Sequence, residues 1–256
     1  MPAPAEIVLK IPAKLKSLVA PIEKLLEFVE NRTDLLERDG RAVDYAAIEC
    51  KCIEHLADLE RTAHQCMLEA VARDAERVLI RGEEHVRVAF GNGTYRGMAG
   101  PFEVGRNLYR KVGERNGKVV DVISLRIGAV GDGWLPHAAK AMAHLHQQEH
   151  SRDAEQTARQ LGRLPYSRAS FERVPHLVGD LWLEHHVDIE DCLIQEQEIP
   201  KDAKSISVSL DRTSVPMEEA LPRAPGRPRK DAPKVARNFR MAYCGTVTMH
   251  DEDGEA

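Results

Sequence analysis

Between residues 44 and 79 the apolar positions recur with the spacing of a helix seam. Cys52, Leu59 and Cys66 fall seven apart, and Leu56, Ala63 and Ala70 form a second series four residues later. The spacing predicts one long helix over about 44–79, preceded by a shorter one over about 21–37 that stops at Asp39-Gly40. Small and thiol side chains on the seam suit close packing, in a hairpin within the chain or against a second copy.

From Val86 the pattern changes to β-rich runs. Residues 86–90 and 94–98 read as strands joined by a turn at Gly91-Asn92-Gly93, and 102–112 and 119–125 as two further strands around Glu114-Arg115-Asn116-Gly117. A small antiparallel β module follows from this, with Arg96, Arg106, Arg110, Lys111 and Arg115, and Tyr95 and Tyr109, as candidates for a phosphate-backbone surface or simply a solvated sheet face.

Helical periodicity returns after Gly131-Asp132-Gly133, with Pro136 in a first turn and Ala138, Ala141, Met142 and Leu145 on one stripe. The next stretch has helix-turn-helix logic. Ala154, Ala158 and Leu161 line the buried face of a short helix closed by Gly162, Pro165-Tyr166 turns, and Ser167 caps a second helix with Phe171 and Val174 inward. Arg168, Ser170, Glu172 and Arg173 then fall on the outer face, where a recognition helix meets base edges and phosphates. Pro175 is expected to end or bend that helix, and an acidic helix to resume at Leu181.

Beyond Ile199-Pro200, the run 205–210 alternates strictly, with Ile206, Val208 and Leu210 on one face and Asp211 directly after the strand. Residues 240–249 form a second strand. Between them, 222–230 carries Arg223, Arg227, Arg229 and Lys230 among prolines; it reads either as a solvated hairpin loop or as a DNA contact, to the backbone or, in AT-hook fashion, to the minor groove.

Composition refines this reading. The net charge of -5 argues against a wholesale nucleic-acid coat protein, yet residues 181–200 hold six acids and no Lys or Arg, whereas 221–240 hold seven Lys or Arg and one acid. No run of about 18 apolar residues and no signal-peptide pattern occurs, so the expectation is a cytoplasmic protein without a membrane partner. Five cysteines without a C-x-x-C pair suit reduced thiols. His146 and His150 have the spacing of two metal ligands on a helix but lack a third, and exposed histidines are the better account.

Four features in order carry a family resemblance: the basic β module, A-x-x-x-A-x-x-L-G followed by Tyr166-Ser167, the strand S-L-D-R-T-S-V-P-M over 209–217, and G-R-P-R-K before G-T-V-T-M-H-D-E-D-G over 245–254. From about Val86 onward the chain resembles the ISKra-type insertion-sequence DDE transposases. The resemblance implies an α+β protein whose segments are a helical region (1–85), the β module (86–130), a helical region with the helix-turn-helix (131–199) and the incomplete start of an RNase H-like domain (200–256). It places Asp211 as the first of three catalytic acids holding Mg2+, with the other two expected beyond residue 256. Two departures stand out: Arg212 occupies a place where the family usually has glycine, and residues 111–118 lack the zinc-knuckle cysteines that relatives often carry. Two-metal chemistry needs several carboxylates around ions about 4 Å apart, so Asp211 alone implies no catalysis. The implied function is binding of transposon-end DNA, through Arg168, Ser170, Arg173, Arg223, Arg227, Arg229 and Lys230, by a chain that self-associates or forms mixed oligomers with intact transposase. A noncatalytic regulator that competes for ends and a degenerate reading frame are the alternatives.

Overall fold

The computed structural model describes residues 8, 10–38, 40, 42–196, 203–220 and 235–250. It is α+β, and its contacts divide the chain into two units, one up to His186 and one from Val187. In the first unit a 3-10 turn, Ala13–Leu18, leads into α1 (Val19–Arg38), which packs along α2 (Tyr45–Val71). Phe28 lies 4.8 Å from the His55 ring and Ser17 Oγ 2.9 Å from Cys66 Sγ, so the helices form an intramolecular hairpin. Asp44 caps α2 by accepting from the Ala47 amide at 3.2 Å.

The long helix stops at Val71, eight residues short of the expected end, and the sheet begins at Arg77, inside the stretch expected to be helical. The cause is non-local. The Tyr109 hydroxyl donates to the carbonyls of Arg73 (3.1 Å) and Ala75 (2.9 Å), and the Asn107 amide to Arg73 (2.8 Å). Backbone acceptors that would continue the helix are thereby captured by the sheet. Strand β1 (Arg77–Ile80) then turns through Arg81-Gly82, both at positive φ (50° and 80°), into β2 (Glu83–Gly97). Two left-handed residues in a two-residue loop match the twist of a hairpin, and this is the turn that a reading centred on Gly91-Asn92-Gly93 misplaces.

Those glycines lie inside one continuous strand. β2 pairs with β3 (Gly100–Lys111) from His85↔Lys111 to Gly97↔Gly100, through a two-residue turn at Met98-Ala99. A Cβ on Gly93 would run into the guanidinium arm of Arg106, which crosses the strand at that point; the glycine provides space, not a turn. The fourth expected strand is also corrected. Only Val120–Asp121 (β4) pairs with β3, after which α3 (Val122–Ile127) begins, with the Asp121 carboxylate accepting from the Ile123 amide at 2.9 Å and Gly128 closing the end.

Three helices follow, α4 (Pro136–Gln148), α5 (Ser151–Gln160) and α6 (Arg168–Glu196), the last of which continues past the end of the first unit. Two cores meet at the loop 130–135. One gathers Trp134, Ala138, Met142, Ala154, Ala158, Leu164, Phe171 and Val174; the other gathers Leu68, Tyr95, Phe102, Val104, Ile123 and Leu135. The loop is stitched to β2 where the Arg96 amide donates to the Gly133 carbonyl (2.8 Å) and the Leu135 amide to the Arg96 carbonyl (2.9 Å). Gly133 sits at φ +86°, and a Cβ there would lie 2.6 Å from the Thr94 carbonyl oxygen. Gly133→Ala is therefore expected to cost about 1–3 kcal/mol, read as a lower urea midpoint with an unchanged slope.

Pro175 does not end the second helix of the corner. α6 runs through it for 29 residues and includes the acidic stretch expected as a separate helix. Phe171 and Val174 before the proline are buried, and Leu177 and Val178 after it pack against the same core, so tertiary contacts on both sides carry the helix past the lost amide.

In the second unit, β5 (Ser205–Ala220) and β6 (Val235–His250) form an antiparallel hairpin in register from Ser205↔His250 to Ala220↔Val235. Strand β5 does not stop before Asp211 but continues through it. The loop carrying Arg223, Arg227, Arg229 and Lys230 lies outside the described residues.

Candidate nucleic-acid interface

The corner between α5 and α6 is built from small and aromatic side chains facing one core. Ala154 and Ala158 of α5 and Phe171 and Val174 of α6 are essentially inaccessible, so both helices rest on one core and their charged positions face outward. The connection is tight: Gly162 is left-handed (φ 63°), and Leu164, at φ 51°, is held there by its amide donating to the Met98 carbonyl at 2.7 Å. Tyr166 donates to the Gly97 carbonyl (2.8 Å) and meets Trp134 edge-on at 4.5 Å. Burial pushes its phenol above its ordinary pKa. The corner is thus seated on the turn end of the β2–β3 hairpin.

Arg168, Glu172 and Arg173 are exposed and Ser170 half-buried. Arg168 is not a free side chain. Its Nε donates to Glu172 Oε1 at 2.9 Å and to Ser151 Oγ at 3.1 Å, while the Ser151 hydroxyl donates to the same carboxylate oxygen at 2.9 Å. The Ser151 bond, joined by the bond and charge of Arg168, holds the Glu172 carboxyl below the ordinary carboxylate range. Arg173 and Arg152 are exposed and take no partner among the described residues. Arg159 pairs with Glu155 (2.9 Å) and Arg163 with Glu60 (2.7 Å). Ser151 is the residue that the sequence reading missed; the i,i+4 Arg168–Glu172 pair is visible in the sequence, but a partner 17 positions away is not.

The basic surface expected on the β module is largely absent. Tyr95 and Tyr109 are core residues at 0% and 1% exposure. Arg106 donates to Asp121 Oδ2 at 2.5 Å over the Tyr95 ring, Lys111 pairs with Glu83 at 2.6 Å, Arg110 donates to the Arg115 carbonyl at 3.0 Å, and Arg96 bonds the Asp132 carbonyl and stacks on Trp134. These cations are used in holding the module together.

At its centre is Asp121. It accepts from Tyr95 (2.6 Å), Ser124 (2.7 Å) and Arg106 as well as from the α3 amide. Burial alone would raise its pKa, but the bonds from Tyr95, Ser124 and Arg106 and the arginine's charge outweigh that and hold it below the ordinary value. Burial, then the adjacent carboxylate, pushes Tyr95 up to about 12.

Asp211 lies in mid-strand opposite Cys244, and Arg212 donates its amide to Asp211 Oδ1 at 2.7 Å. The register places Asp211 on a polar face with Ser207, Ser209, Thr213, Thr246, Thr248 and His250, where Ser207 Oγ lies 2.8 Å from His250 Nε2. Ile206, Val208, Leu210, Tyr243 and Val247 share the opposite face and are 60–73% exposed. Among the described residues no three His, Cys, Asp or Glu side chains gather to hold a metal ion. Among the described residues no second carboxylate joins Asp211, so the two-Mg2+ centre that the resemblance implies would need further donors. Among the described residues no helix is long and apolar enough to cross a membrane. Comparison of the chain with family models, with curated proteins and with solved structures gave no match.

Proposed function

We propose that this chain binds DNA through the α5–α6 corner, as the N-terminal part of an insertion-sequence DDE transposase whose role is recognition of transposon ends. One observation carries the DNA-binding reading: two helices locked on one core by Ala154, Ala158, Phe171 and Val174 turn Arg168, Ser170 and Arg173 outward at the start of the second helix. The transposase reading rests on the resemblance of the segments around Tyr166, Asp211 and Gly245. The amphipathic hairpin supports its assignment as the opening pair of an RNase H-like sheet, with Asp211 on the polar face. Two-metal strand cleavage would need further carboxylates beside Asp211. Arg223, Arg227, Arg229 and Lys230 would add backbone contacts.

The test is a mobility shift of terminal inverted repeats against scrambled duplex over a range of salt. The expected result is tighter binding to the repeats and a log–log salt slope that reports several phosphate contacts. Equal affinity for both duplexes at every salt concentration would sink end recognition.

A further inference from the structure

We propose that Arg168 reads a guanine in the DNA major groove through its two terminal Nη groups, and that Glu172 and Ser151 are the positioning residues that aim it. The inference rests on the reading that α5–α6 contacts DNA, and it adds the base recognised and the device that recognises it.

The geometry divides the guanidinium into two ends. Nε is committed, to Glu172 Oε1 at 2.9 Å and Ser151 Oγ at 3.1 Å. The Nη atoms take no partner among the described residues, and the side chain is 52% exposed. An end-on pair of N–H donors matches the O6 and N7 acceptors that guanine presents in the major groove. An arginine at the start of the second helix of such a corner is also where base edges are met.

Three physical points favour a base edge over a phosphate. A phosphate would approach against the ionised Glu172 carboxylate, whereas a guanine edge is neutral. A phosphate contact needs charge more than orientation, yet here orientation is what has been built: Ser151 is only 7% exposed at the first position of α5, so the bracket ties Arg168 to a packed helix corner. Finally, an exposed i,i+4 Arg–Glu pair adds little stability, so the bracket's effect lies in removing rotamer freedom from Arg168 before binding. Arg173, exposed and without a partner among the described residues, has the character of a phosphate contact and serves as the internal control.

The experiment uses the full chain. A duplex pool with a randomised core is selected for binding, and fluorescence anisotropy then measures Kd on the selected duplex and on single-position changes, including 7-deazaguanine, over a salt series. Wild type is expected to lose roughly 10- to 100-fold when the contacted guanine becomes adenine or 7-deazaguanine. Arg168→Ala removes both Nη donors, lowers the salt slope by at most about one, and no longer distinguishes guanine at that position. Glu172→Gln and Ser151→Ala keep the slope and lose roughly 3- to 10-fold of the preference, a change that a merely structural role would not confine to one base pair. Arg173→Ala weakens all duplexes alike and lowers the slope by about one. If wild type selects a site and Arg168→Ala keeps its guanine preference, the inference falls while the DNA-binding reading stands. If Glu172→Gln tightens binding to every duplex with the preference intact, the positioning role falls. If wild type binds no duplex, the reading of the corner fails and takes the inference with it.

Discussion

Trp134→Ala is expected to lower the unfolding free energy of the first unit by about 3–5 kcal/mol, a large share of the roughly 5–15 kcal/mol that holds a domain together. Trp134 has no exposed surface, meets Tyr166 edge-on at 4.5 Å, lies under the Arg96 guanidinium at 5.6 Å and sits in the core that includes Met142, Ala158 and Phe171. Truncation removes the transfer free energy of the indole and leaves a cavity between surfaces fixed by separate backbone bonds. Those bonds, Trp134 amide to Val130 carbonyl (3.1 Å) and its reciprocal (2.9 Å), hold the loop in place and limit collapse into the space. Trp134→Phe is the informative companion. The indole Nε1 is buried with no hydrogen-bond partner among the described residues, so phenylalanine sacrifices volume but no hydrogen bond seen there, and about 1–2 kcal/mol is expected. Urea unfolding followed by far-UV circular dichroism measures both, and Trp182 remains as a fluorescent reporter in each variant. An unchanged midpoint for Trp134→Ala would contradict the placement of this residue at the junction. Because the α5–α6 corner is seated on Trp134, the proposed DNA binding should also fall in this variant in proportion to the fraction unfolded.

What the chain declares locally, the fold follows. The α4 stripe, the alanines of α5 and the pair Phe171 and Val174 are where a 3.6-residue period puts them, and α1 differs from its expected range by two residues at one end and one at the other, but Leu161, expected on the buried face of α5, lies past its end and is 62% exposed. What is decided at a distance was misread. Nothing in Ala72-Arg73-Asp74-Ala75 breaks a helix; α2 ends there because Tyr109 and Asn107, more than 30 positions on, take its carbonyls. Gly93 looks like a turn residue until Arg106 is seen crossing it toward Asp121. Pro175 looks like a stop until the core on both sides of it is seen.

The same division governs the candidate site. The outward helix positions Arg168, Ser170 and Arg173 follow from periodicity, but the engagement of Arg168 by Ser151 depends on how two helices pack. The tyrosines and arginines of the β module show the opposite failure. A list of basic and aromatic residues on short strands resembles a nucleic-acid surface, yet alternation along β2 and β3 turns Tyr95 and Phe102 into the core and leaves Arg106 to neutralise Asp121. Charge counted along a strand says nothing of whether an acid waits on the next element.

Asp121→Ala is expected to cost about 3–5 kcal/mol, because it removes the partner of a half-buried Arg106, the acceptor for the Tyr95 and Ser124 hydroxyls and the cap of α3 at once. Asp121→Asn keeps an oxygen for the hydroxyls and the cap but not the charge, and should fall between it and wild type. The pH dependence separates the two ionisations. Asp121 titrates below its ordinary value in the fold, so its contribution is present above the unfolded carboxylate pKa of about 3.9 and is lost as pH falls through the lower folded one. Tyr95 titrates above its ordinary value, so its contribution is present below the unfolded phenol pKa of about 10 and is lost as pH rises toward about 12. Two pH units correspond to at most about 2.7 kcal/mol. Wild type should therefore lose stability steeply over that alkaline window. In Asp121→Asn the acid limb flattens, and the alkaline loss shrinks without vanishing, since burial, the larger cause, still holds Tyr95 up while the neighbouring charge is gone. Urea midpoints taken across pH, with tyrosinate absorbance followed in parallel, read both limbs. A wild-type acid limb identical to that of Asp121→Asn would show that the Tyr95–Asp121–Arg106 cluster does not set the pH range of this fold.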